Sequence, residues 1–260
     1  MLLLLPPSAG KATPRRGRPV DLDGLSRPEL RPVRERTLAA LATLCEGDPA
    51  AARAELGLGD GPDADAERAR NVHLTSAPSA AASAVYTGVL YDRLGLRDLP
   101  TGAKRRAGAR VLIFSGLWGV LAPGDRIPGY RCPATARLPG VAPAATRWRD
   151  ALTAALPADR MAVDLRSGPY RALWRPADAP TVAVFVVRER AGQRSVVSHM
   201  AKATRGDIAR TLLVGDGARP ARDPRTPDEL AARLADAGWT VELDPPDRRG
   251  DQALTVVERD

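Results

Sequence analysis

The chain has 260 residues, 44% hydrophobic, 27% charged and only 4% aromatic, with 39 basic side chains against 31 acidic ones and a formal net charge of +8. A chain of this length buries a core without disulfide or metal staples, and its balance excludes a disordered chain, a collagen, a coiled coil and a disulfide scaffold. The positive excess suits an anionic partner such as nucleic acid or a nucleotide, and it equally suits a solvated cationic surface with no specific partner.

Met1 to Leu5 is apolar but ends at Pro6-Pro7 and has no basic start, so it reads as a buried first strand, Leu2–Leu5, and not as a secretion signal. No run approaches the ~20 apolar residues of a membrane span. The loop PPSAGKATPRRGRP follows, too rich in Pro and Gly for regular structure. Leu38, Leu41, Ala42 and Leu44 then recur at helical spacing, and a short helix is expected over 50–56. LGLGDGPDADAE reads as an exposed turn and a candidate hinge, and within the small, apolar stretch 76–96 residues 79–96 read as helix. Val111–Phe114 is a buried strand, followed by a Gly/Pro-punctuated loop, GLWGVLAPGDRIPGYR. An amphipathic helix is expected over 144–156 and a strand over 162–165. Residues 181–189 and 195–200 flank AGQR as a hairpin, and 201–214 is helical. Thr226-Pro-Asp-Glu229 is a capping box whose helix stops at Gly238, and WTVEL and ALTVVE form a terminal hairpin. Strands and helices mix without clean βαβ alternation. The expected fold is α+β or mixed α/β, a single domain over 1–260 around one central mixed sheet.

The rare residues carry the functional argument. Only Lys11, Lys104 and Lys202 are lysines, so the other 36 of the 39 basic residues are arginines. Arginine is a fixed planar cation, whereas lysine is a point charge with a tunable pKa, so a lysine kept in an Arg-rich chain invites scrutiny. Two histidines, His73 and His199, and two cysteines, Cys45 and Cys132, are scattered and do not have the spacing of a tetrahedral metal site. No metal or cofactor is assigned from them, and the few cysteines point to a reducing cytoplasm.

Four segments just past strands or at helix starts are candidate binding elements. Ser8 and Lys11 lie in the first loop, which is no P-loop because Leu5 stands where the pattern needs Gly. Ser115, Asp125, Tyr130 and Arg131 lie in the loop after the 111–114 strand, where α/β sheets place ligands, although Trp118 in a packed core and Asp125 paired to an arginine would explain the same residues. Ser198 to Gly206 opens a helix that sets Lys202 and Arg205 three apart on one face, suited to a phosphate or carboxylate. Ser167 and Tyr170 follow the 162–165 strand. There is no GxSxG elbow around Ser115.

Taken in order, these segments resemble the YaaA-type peroxide stress proteins. The resemblance is carried by LLLLPPSAGK, by VYTG at Val85–Gly88, by FSGLWGVLAPGDRIPGYR, by VDLRSGPY and by SHMAKATRG. The chain departs from the family pattern at Ala9, Trp118, Ala122, Pro169 and Thr204. The resemblance implies a cytoplasmic role in protection against hydrogen peroxide through limiting free iron, and a DNA-binding helix-hairpin-helix element, placed here over Thr37 to Gly61.

Two functional expectations follow. One is a stress-protection protein that binds DNA through a basic surface. The other is an enzyme whose polar residues converge on one cleft for an anionic nucleotide or nucleobase derivative. In that reading Lys202, Asp125 and Tyr130 are the candidate catalytic residues, and Ser8, Lys11, Tyr86, Ser115, Arg131, Ser167, Tyr170 and Arg205 bind the ligand. Carboxylate-based iron storage is a third option.

Overall fold

The structure is a computed structural model and describes residues 1–196, 198–215 and 223–259, and of Ser198 and His199 the backbone alone. Its strands are β1 (Leu2–Leu5), β2 (Ala80–Ala81), β3 (Val111–Ser115), β4 (Gly119–Leu121), β5 (Arg126–Ile127), β6 (Ala162–Asp164), β7 (Thr181–Arg190), β8 (Gln193–Ser195), β9 (Val241–Leu243) and β10 (Gln252–Arg259). Its helices are α1 (Arg31–Glu46), α2 (Pro49–Leu56), α3 (Pro62–Val72), α4 (Ala82–Val85), α5 (Val89–Leu94), α6 (Thr101–Arg110), α7 (Ala144–Ala155), α8 (Gly168–Arg171), α9 (Ser198–Val214) and α10 (Pro227–Asp236). No described helix is long and apolar enough to cross a membrane.

One mixed sheet organises the domain, in the order β4-β3-β1-β6-β7-β10-β9, with β8 paired to β7. Its five inner strands run parallel, and β4, β8 and β9 are antiparallel at the margins. A parallel strand is covered on both faces, so it is apolar throughout. β1 meets this demand with four buried leucines. Leu3 and Leu5 enter the core under α5, α6 and α9, while Leu2 and Leu4 enter the opposite core with Trp148 of α7.

The chain order around β1 positions the site. β1 lies between β3 and β6. The chain leaves β1 for β3 on one side and later returns to β6 on the other. The strand order therefore reverses at β1, and such a reversal opens a crevice beyond the carboxyl ends of the strands.

Local readings changed in several places. Pro62, expected in a loop, begins α3, with Asp63 and Asp65 favourably placed in its first turn. The proposed hinge is thus a short turn between α2 and α3. The expected helix over 79–96 is broken into β2, α4 and α5, because Tyr86 is extended and Gly88 takes a φ of 99°. The 116–131 loop contains β4 and β5. The hairpin after β7 turns at Ala191-Gly192, so Gln193 and Arg194 are strand residues, and the chain is helical from Ser198. Residue 197, within the expected second hairpin strand 195–200, lies outside the described residues, as do the side chains of Ser198 and His199. The capping box holds: Thr226 Oγ1 accepts from the Glu229 amide at 3.2 Å, and Glu229 reaches back to the Arg225 amide at 2.7 Å.

Arg34 fastens the loop before α1 to the sheet. It is fully buried and donates to the carbonyls of Ser26, Arg27, Trp118 and Val120. Burial without a carboxylate partner lowers its pKa to about 10.

Candidate functional site

A cavity of about 410 Å³ opens at the crevice beyond β1. The loop after β1 supplies Pro6 to Lys11, the segment from Gly88 into α5 supplies Val89, Leu90 and Tyr91, and Arg131, Cys132 and Pro133 come from the chain after β5. Ser167 and Tyr170 enter from the end of β6, and Lys202 and Arg205 from one face of α9. The side chain at Ser8 is half-buried, as are those at Lys11, Arg131, Tyr170 and Arg205, while Ser167 and Lys202 stand exposed at the rim.

Each cation is held without a carboxylate. Lys11 Nζ donates to the Ser8 carbonyl at 2.7 Å and lies 4.5 Å above the centre of the Tyr130 ring. Arg131 donates to the carbonyls of Leu56 at 2.9 Å and Gly57 at 2.8 Å. Arg205 donates to the Val184 carbonyl at 3.2 Å, and its buried Nε has no hydrogen-bond partner among the described residues. Among the described residues, no Asp or Glu lies within ion-pair distance of Lys11, Arg131, Lys202 or Arg205. Burial, with Arg131 as the next cause, lowers the Lys11 amine to about 8. Burial and neighbouring Arg171 also lower Arg205. Like charges gathered in a partly desolvated hollow repel, and an entering anion relieves that repulsion.

All four tyrosines of the chain meet here. Tyr91 donates to the Pro6 carbonyl at 2.6 Å and its ring stacks on Tyr86 at 5.3 Å. Beneath Lys11, Tyr130 Oη lies 2.7 Å from Ser115 Oγ and 2.8 Å from Tyr86 Oη, all buried. Ser115 Oγ accepts from the Leu117 and Trp118 amides, which occupies both lone pairs. Its proton therefore goes to Tyr130, and that of Tyr130 goes to Tyr86. This chain explains why Ser115, Tyr130 and Tyr86 line the floor behind Lys11 and not the cavity itself.

Asp125 departs from the expectation of a site carboxylate. Its oxygens accept from the Ser26 amide at 2.8 Å, the Ser26 hydroxyl at 2.5 Å and the Ala122 amide at 2.9 Å, which closes the turn between β4 and β5. It is nearly fully buried, outside the cavity, and among the described residues it is paired to no arginine. Trp118 is fully buried in the core, edge-on to Tyr130.

Val89, Leu90, Tyr91 and Cys132 line the cavity without having been expected there from the sequence. The rarity of tyrosine was the available signal for Tyr91. Burial pushes the Cys132 thiol up to about 12, so it is protonated at neutral pH, the opposite of a peroxide-reactive cysteine. No group of three or more His, Cys, Asp and Glu side chains able to hold a metal gathers among the described residues.

The chain matches the family model described as peroxide stress protein YaaA over residues 1–222. The chain belongs to the YaaA family of peroxide stress proteins. It is 43% identical to a UPF0246 protein of Streptomyces coelicolor over 254 residues, 96% of this chain and 95% of the relative. It is also 38% identical to a UPF0246 protein of Corynebacterium efficiens, over 99% of this chain and all of the relative. A UPF0246 protein of Corynebacterium glutamicum is 36% identical with the same coverage. The YaaA match covers every element that lines the cavity, from β1 to α9.

Proposed function

We propose that this YaaA-family chain serves the peroxide stress response by binding an anionic small molecule in the crevice beyond β1 and acting on it there. One observation carries the reading: four cations with no carboxylate partner among the described residues, drawn from three separate segments, face one cavity. Its volume of about 410 Å³ lies in the range usual for small-molecule sites, about 300–1,000 Å³. Pro6, Pro7, Val89, Leu90 and Pro133 supply apolar walls for a flat ring, while Lys202, Arg205 and Arg131 suit a phosphate or carboxylate. A nucleotide or nucleobase derivative fits that division. Asp125 has no part in this reading.

A thermal-shift screen tests it. Binding to the folded chain alone raises stability by about 2.7 kcal/mol at a hundredfold excess of ligand over Kd. Nucleotides and smaller phosphates should raise Tm, and Lys202→Met with Arg205→Met should abolish the rise. No rise with any anionic ligand would sink the reading.

DNA binding is the second reading. It is favoured by one feature, the tight turn Gly57-Leu58-Gly59 between α2 and α3, where Gly57 is left-handed. Such turns meet backbone phosphates through amides without reading bases. In this reading α2 and α3 flank the turn, which lies at the end of the 37–61 stretch. Asp60, Asp63 and Asp65 at its far side weigh against a phosphate contact. Binding that falls steeply with salt, and is lost on Leu58→Asp, would support this reading.

A further inference from the structure

We infer that Lys11 forms an imine with an aldehyde or ketone that carries a phosphate or carboxylate group. This rests on the cavity reading above and names the chemistry of its ligand.

The residue types argue first. In a chain with 36 arginines, a site that needed only positive charge would be served by arginine, and Arg131 and Arg205 are already present. Arginine does not deprotonate, whereas a lysine amine does and so can act as a nucleophile. Two of the chain's three lysines line this one cavity. Lys104, the third, is exposed on α6.

Position separates the two. Lys202 is exposed at the rim, where it suits the anionic group. Lys11 is anchored at the carboxyl end of β1, where an antiparallel bridge pairs it with Tyr86. Its Nζ is held by the Ser8 carbonyl at 2.7 Å and by the Tyr130 face, and among the described residues no carboxylate lies within ion-pair distance of its ammonium, Glu67 acting only from further off. Burial and Arg131 hold the amine near 8, so a useful fraction is unprotonated at neutral pH. A carbonyl compound anchored through its anion by Arg205 and Lys202 would present its carbonyl to the floor of the same hollow.

The step balances without a further reactant. The Nζ lone pair forms a C–N bond to the carbonyl carbon, and the C=O π pair moves to oxygen, which takes up the proton that nitrogen gives up. The resulting hydroxyl takes up the second proton of that nitrogen and leaves as water, its C–O bond breaking as the nitrogen lone pair forms the C=N bond. Hydrolysis reverses the sequence.

Pyridoxal 5′-phosphate serves as a probe because it combines an aldehyde with a phosphate. The full chain is incubated with it at low excess, reduced with borohydride and mapped by peptide mass spectrometry. The expected result is a stable adduct on Lys11, formed about tenfold faster than on Lys104 or the Met1 amine and suppressed by pyrophosphate. Pyridoxal without the phosphate should label Lys11 more slowly. Lys11→Arg should lose the adduct. An adduct on Lys202, Lys104 or Met1 with Lys11 unmodified overturns the inference. A pyrophosphate-induced rise in Tm without a Lys11 adduct overturns the imine and leaves the anion site standing. Neither a rise nor an adduct defeats both. If Lys11→Arg does not fold, the adduct map of the unaltered chain still decides.

Discussion

The Lys11 ammonium lies 4.5 Å above the centre of the Tyr130 ring, and the hydroxyl of that ring joins Ser115 to Tyr86. One tyrosine thus supports a cation with its face and completes a buried hydroxyl chain with its edge. The two roles separate by substitution. Tyr130→Phe keeps the ring and leaves the Ser115 hydroxyl without its acceptor. Urea unfolding should show a loss of about 1–3 kcal/mol, with the anion-induced rise in Tm retained. Tyr130→Leu should lose that stability and also weaken the rise, because the face under Lys11 is gone.

Lys11 also makes stability depend on pH. Its amine titrates near 8 in the folded chain against 10.5 when free. Between those values the unfolded chain binds one more proton, so stability rises with pH through this window, by about 3 kcal/mol at most. Below pH 8 both states are protonated and the cost of the buried ammonium is present in full. The groups around it are Arg131, Cys132, Glu67, Tyr86 and Tyr130, with Lys202 and Arg205 on α9. Cys132, raised to about 12, acts in the opposite sense at high pH, so the comparison must be with a variant that lacks only the amine. Lys11→Met is expected to be more stable than the parent chain below pH 8, and the gap should close by pH 10.5. A gap that stays constant across chemical denaturation at pH 7, 8, 9 and 10 would contradict the buried-amine account.

Arg131 ties the cavity to the turn between α2 and α3. Its guanidinium caps the last carbonyls of α2 at Leu56 and Gly57, and Asn71 of α3 exchanges two hydrogen bonds with its backbone, at 2.7 and 3.0 Å. Removing it leaves those helix-end carbonyls without partners. Arg131→Met should speed amide hydrogen exchange over residues 57–61 by about tenfold, while amides of β1 and β3 remain protected. Unchanged exchange in the turn would mean that the cap contributes no local stability.

The sequence carried the parts of this fold that follow from local pattern. Four consecutive leucines announce a strand buried on both faces, and Thr226 to Gly238 announces a helix with its start and stop. The strand order was hidden, because the crossover from β1 to β3 passes through six helices and no short βαβ repeat marks it. For the site, the loops after β1 and β6 and the face of α9 were legible, since glycine, proline and rare lysines punctuate strand ends. Asp125 was not, because a carboxylate that closes a turn on Ser26 looks in sequence like one that faces a ligand. The apolar wall of Val89 and Leu90 was missed because it depends on Gly88 breaking a stretch whose composition favours helix.

Gly206 sets how closely the cationic face of α9 approaches the apolar wall. A Cβ built there would fall inside contact distance of the Leu90 carbonyl oxygen and 2.8 Å from Arg93 Cβ, both on α5. Backbone cannot move aside as a flexible side chain can, so Gly206→Ala must push α9 away from α5. Lys202 and Arg205 ride on α9, and Val89, Leu90 and Tyr91 on α5, so the cavity widens between its cations and its wall. Overpacking of this kind costs roughly 1–3 kcal/mol. Gly108→Ala is the control: it lies exposed in α6, nothing stands within 4 Å of its added Cβ, and an alanine there should stabilise by about 0.5–1 kcal/mol. Gly206→Ala should lower Tm and also lose the anion-induced rise, whereas Gly108→Ala should raise Tm and leave that rise intact. If Gly206→Ala bound anions as the parent chain does, the spacing between α5 and α9 would have no part in forming the site.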